Sequence, residues 1–149
     1  MTRSETFGVS TLLLILAIVL GAFLTSAGKY LQVTRFDLLD ARQGERVMLD
    51  YERTIRRDFN ATWRLDLYRN GVWVETAVSP GVQRYRTTAA LPPPGDLDLA
   101  WLAYGAPGFQ KLPCGDYEAV LRWTIHPESA AMRRALEVRD SFTVICHAD

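Results

Sequence analysis

No charged residue occurs between Thr6 and Gly28, and the stretch Val9–Ala27, VSTLLLILAIVLGAFLTSA, is apolar apart from Ser10, Thr11, Thr25 and Ser26. A helix buried in a water-soluble domain keeps a polar face, because one side of it meets solvent. This stretch has none. Its length matches the roughly 20 residues needed to cross the hydrocarbon core of a bilayer. The run therefore commits the chain to a membrane, as a retained transmembrane helix or as a secretion signal.

Retention is the expectation. The run exceeds the roughly 7–15 residues of a signal-peptide core, and Thr25-Ser26-Ala27 fits a signal-peptidase site only loosely. Cleavage after Ala27 is the alternative, and it would release a secreted ligand-binding domain. No cysteine lies near the end of the run, so a lipoprotein anchor has no attachment point. Arg3 precedes the run and Lys29, Arg35 and Arg42 follow it, a bias opposite to the positive-inside rule. That rule loses force for long translocated domains, and a chain that starts so close to its apolar run behaves as an uncleaved signal anchor. Residues 1–28 thus read as a cytoplasmic tip and one N-terminal transmembrane helix, and residues 29–149 as one extracytoplasmic, periplasmic domain.

The remaining chain has room for a single domain of ordinary size within the 149 residues. Seventeen basic residues balance seventeen acidic ones, which removes the sequence-independent attraction that nucleic-acid binders rely on. No nucleic-acid partner is expected; the lipid bilayer is, together with another envelope or membrane protein.

From Tyr30 onward the pattern alternates, as half-buried strands do. Val47, Leu49 and Tyr51 alternate with Met48, Asp50 and Glu52; Trp63, Leu65 and Leu67 alternate with Arg64, Asp66 and Tyr68. Asn70-Gly71 between LDLY and VWV predicts a two-residue hairpin turn, since both central positions need positive φ. Further strands are expected over Leu97–Trp101, Tyr117–Ile125 and Leu136–Val144, and a helical turn over Ser129–Ala135. Val72–Thr88 reads as one bent strand, broken at Pro80-Gly81 and switching sheets there. Short strands separated by turn clusters predict an all-β, antiparallel sandwich.

Leu112-Pro113-Cys114-Gly115-Asp116-Tyr117 resembles the L-x-x-G-x-Y corner of immunoglobulin-like and fibronectin-type domains, and Trp63 is similar to their buried core tryptophan. The resemblance covers roughly residues 30 to 146 and implies an immunoglobulin-like β-sandwich. It also implies structural roles for Leu112, Gly115, Tyr117 and Trp63. Ala119 stands where immunoglobulin domains carry their second core cysteine, so the central intersheet disulfide is absent. A fold of this kind says little about activity.

Cys114 and Cys146 are expected to meet at one end of the last hairpin and form a disulfide, with Tyr117 opposite Val144 and Trp123 opposite Val138. His126 and His147 are not at ligand spacing, and Asp37, Asp40, Glu45, Asp50 and Glu52 lack the dense order of a calcium loop. No nucleotide, hydrolase or metalloprotease motif occurs. Neither a catalytic residue nor a metal or cofactor is expected. Trp63, Trp101 and Trp123 fall on the apolar phase of their runs, whereas Trp73 points the other way and predicts a partner surface with Tyr68 and Tyr85. Fifteen of the seventeen basic residues are arginine, and Arg53, Arg56, Arg57, Arg133 and Arg134 read as loop residues. In the implied topology they sit at the end where the chain leaves the membrane, available to lipid headgroups or an acidic partner, with both cysteines at the far end. The expected function is a non-enzymatic, membrane-tethered binding or bracing module of a bacterial or phage-encoded envelope, similar in build to other small envelope proteins. An accessory subunit of a larger membrane complex is the alternative.

Overall fold

The computed structural model describes residues 14–15, 26–126 and 133–147. Among the described residues no helix is long and apolar enough to cross a membrane. The apolar run lies outside them except for Leu14, Ile15, Ser26 and Ala27.

The described chain is predominantly β. Its strands are β1 (Leu31–Leu38), β2 (Ala41–Arg42), β3 (Leu49–Ile55), β4 (Phe59–Arg69), β5 (Val72–Val78), β6 (Gln83–Tyr85), β7 (Gly115–His126) and β8 (Arg134–Ile145). β1 and β3 form an antiparallel ribbon; the other strands form one sheet in the order β2-β8-β7-β4-β5, with β6 also on β4. Side chains alternate across a strand, so one face of this sheet carries Leu65 and Leu67 of β4, Ala119, Leu121, Trp123 and Ile125 of β7, and Phe142 and Val144 of β8, all buried. The β1–β3 ribbon covers that face with Phe36, Leu38, Leu49 and Tyr51, and these residues share one core with it.

The Asn70-Gly71 turn forms as the sequence predicts: φ is 50° at Asn70 and 78° at Gly71, and Arg69 pairs with Val72. The bent strand does break at Pro80-Gly81, but it does not switch sheets. β5 pairs with Arg64–Arg69 and β6 with Phe59–Ala61, both antiparallel to β4. Since β7 holds the other edge of β4, β5 and β6 follow one another along the same edge.

The strand expected over Leu97–Trp101 is also corrected. Only its first part extends: Leu49 donates to the Leu97 carbonyl at 3.0 Å and Leu99 donates to that of Val47 at 2.9 Å. The Asp98 carboxylate then accepts from the Trp101 amide at 2.6 Å, and α1 (Leu99–Leu102) begins. An aspartate satisfying an orphan amide in this way starts a helix, and Leu99 and Leu102 turn together into the core. Arg134 and Ala135, expected in a helical turn, belong to β8; residues 129–132 lie outside the described residues.

The last hairpin is offset by two residues from the expected register. Tyr117 lies opposite Phe142 and Trp123 opposite Leu136. An even offset leaves every side chain on its face. Tyr117 stacks on Phe142 with ring centroids 5.3 Å apart, and its hydroxyl donates to the Pro113 carbonyl at 2.6 Å. At this end the Cys114 and Cys146 sulfurs are 2.18 Å apart, bonded across a Cα separation of 5.1 Å.

Candidate functional site

Three surfaces carry the chemistry of the domain, and the strand pairings position all of them. The first is the end at which the chain enters the fold. A short 3-10 turn, Ala27–Lys29, leads into β1, and Ala27 and Tyr30 pack against the core. The Arg56 amide donates to the Tyr30 carbonyl at 2.8 Å, so the β3–β4 loop with Arg56 and Arg57 borders this entry. β7 and β8 end their pairing here too, Ile125 opposite Arg134. Arg56, Arg57 and Arg133 are exposed, while Arg134 is half-buried as the first residue of β8. Cys114 and Cys146 lie at the opposite end, beside Gly115 and Val144.

Arg53 does not belong with these residues. It is not in a loop but in β3, on the same side of the strand as Tyr51 and Ile55, and it is only partly exposed. Extending the Val47-Leu49-Tyr51 alternation by one step would have found it.

The second surface is the solvent face of the large sheet. Asp66 is buried there, held by the Arg64 Nε at 2.9 Å, by Arg122 at 3.1 Å and by the Thr76 hydroxyl at 2.6 Å. Arg122 and Arg139 also bond Glu137, and together they hold its carboxyl below the usual range. Arg139 also meets Glu118, so three arginines face three carboxylates. Beside them Trp73, 55% exposed, donates its indole N–H to Thr76 at 2.9 Å and lies opposite Tyr68. The expected grouping with Tyr85 is wrong. Tyr85 pairs with Phe59 and stacks on its ring 4.8 Å away, on the face of the sheet opposite to Trp73.

The third surface is a cleft of about 200 Å³ between that inner face and the segment that carries α1. β3 contributes Tyr51 and Arg53, β4 and β7 contribute Trp63 and Trp123, β6 contributes Arg84 and Tyr85, and the α1 segment contributes Trp101 and Tyr104. Among the described residues no carboxylate lines it. The Arg53 guanidinium lies 5.8 Å from the Tyr51 ring centre and 5.4 Å from that of Tyr85, within reach of the attraction between a cation and an aromatic face. Its Nε is buried without an acceptor among the described residues, and the guanidinium lies beside the buried Tyr51 hydroxyl as its charge and hydrogen-bond neighbour. Tyr104 takes a left-handed backbone, φ 58°, which is uncommon for a bulky residue. In this conformation its exposed ring stands 6.2 Å from that of Trp63.

No family model, curated protein or solved structure matches this chain.

Burial raises the Tyr51 phenol to about 12, against the opposing pull of the Arg53 guanidinium. Burial raises Tyr85 as well, opposed by the Trp123 indole. An unfolded tyrosine loses its proton near pH 10, so above that pH the native state binds more protons than the unfolded state and stability falls as pH rises. Tyr51's contribution is complete below pH 10 and lost progressively up to pH 12, roughly 2–3 kcal/mol at the upper limit. Denaturation midpoints from pH 9 to 12 should fall steeply in the native protein and less steeply in Tyr51→Phe. Equal slopes would show that Tyr51 titrates as an exposed phenol.

Proposed function

We propose that the chain is a single-pass, membrane-tethered extracytoplasmic module of the immunoglobulin-like type, which binds or braces another envelope component and performs no chemistry of its own. The observation that carries this reading is the polarity of the domain. The residues that follow the apolar run enter the fold beside Arg56, Arg57 and Arg133, while the disulfide and Ile145 lie at the other end. The immunoglobulin-like assignment rests on the Tyr117 corner, on β4 and β7 pairing at the centre of the sheet and on β2 joining β8 in parallel.

With the apolar run in a bilayer, a three-residue turn packed on the core leaves the domain little slack. Arg56, Arg57 and Arg133 then reach the headgroup layer, where each basic residue contributes on the order of 1 kcal/mol on an anionic surface. The segment 30–149 should bind vesicles of anionic lipid in a salt-sensitive way. Changing Arg56, Arg57 and Arg133 to glutamine should weaken that binding about a hundredfold, the product of three such contributions. Unchanged binding would make these arginines ordinary solvated surface.

A further inference from the structure

Arg35, Arg46, Arg64, Arg122 and Arg139 each pair with a carboxylate. Arg53 does not: it has no carboxylate partner among the described residues, and its Nε is buried without an acceptor. A buried donor left unpaired is costly, the more so on a charged group. Water or a bound ligand can supply the missing acceptor. The Tyr51 hydroxyl, the neighbour with which Arg53 interacts, lines the same cleft. Because Tyr51 keeps its proton to about pH 12, it offers an O–H donor at any physiological pH. Around Arg53 and Tyr51 the walls are aromatic.

We propose that this cleft binds a small aromatic carboxylate, its oxygens on Arg53 and Tyr51 and its ring against the aromatic walls. The size of the cleft sets the class. At about 200 Å³ it falls below the roughly 300–1,000 Å³ of pockets for drug-sized ligands, so it suits one ring with a short acidic arm. Charge sets the sign, since Arg53 lines the walls and, among the described residues, no acid does. The left-handed backbone of Tyr104 holds its ring against Trp63, and the aromatic walls of the cleft give a flat body surfaces for offset stacking.

The probe is phenylacetate, with phenylacetamide as its uncharged counterpart, titrated into the whole chain in detergent and followed by tryptophan fluorescence and calorimetry. Phenylacetate should bind at least tenfold more tightly than the amide. Arg53→Gln should abolish that preference, and Tyr51→Phe should weaken phenylacetate several-fold. Comparing acid with amide on unaltered protein keeps the test valid if either variant folds poorly. Equal binding of acid and amide, no binding of the acid at millimolar concentration, or full binding by a folded Arg53→Gln protein would overturn the proposal. None of these outcomes bears on the vesicle experiment, which uses the other arginines.

Discussion

Replacing both Cys114 and Cys146 by serine should lower the melting temperature of the oxidised protein by roughly 10–20 °C. The bridge closes a loop with a sequence separation of 32, and restricting the unfolded chain over that length contributes about 3–4 kcal/mol. For a domain of this size each kcal/mol moves the midpoint by a few degrees. The effect should appear in thermal melts of native protein, and reduction of the native protein should reproduce it. A change of only a degree or two would mean that the ends of β7 and β8 are held by the Tyr117 corner alone. The bridge adds no second core, so folding should survive its loss at low temperature.

Trp123→Ala should cost about 3–5 kcal/mol, the range for emptying a buried tryptophan site, and Trp73→Ala less than about 1 kcal/mol. Trp123 is 2% exposed and lies opposite Trp63 on the inner face. Trp73 is 55% exposed on the other face, and its truncation removes one indole hydrogen bond to Thr76. Urea unfolding of the two variants measures the difference. Similar losses would show that the solvent face of the sheet is covered and not free.

The same contrast between the tryptophans is legible in the sequence, because a strand's period of two assigns each side chain to a face without knowledge of its partners. Pairing register is another matter. The Asn70-Gly71 turn fixes it for β4 and β5, but between β7 and β8 no comparable turn signal exists, and offsets of two residues bury the same face. Leu97, Leu99 and Trp101 mislead for a related reason. Their alternation is compatible with a strand until Asp98 turns its carboxylate onto the Trp101 amide, and a capping aspartate is invisible to a pattern of apolar positions. Arg53 is legible by the same period of two, one step beyond Tyr51, but its charge favours reading it as loop. The cleft as a whole depends on segments distant in sequence, from Tyr51 to Trp123, and no local pattern announces it.

The placement of Tyr30 and Cys146 at opposite ends of the sheet has a mechanical consequence. β1 runs away from the entry end, and β8 runs the same way, from Arg134 opposite Ile125 to Ile145 beside the disulfide. A pull between Tyr30 and Cys146 therefore acts along the strands, so that the hydrogen bonds of the ladders are loaded side by side in shear and not opened one at a time. The short parallel pair of β2 with β8 lies on this path. At the far end the sulfur bond passes tension from β8 directly to the start of β7, which spreads it over two strands bonded to each other along eleven paired positions. Strands loaded in this direction should resist extension more than strands peeled apart at one end.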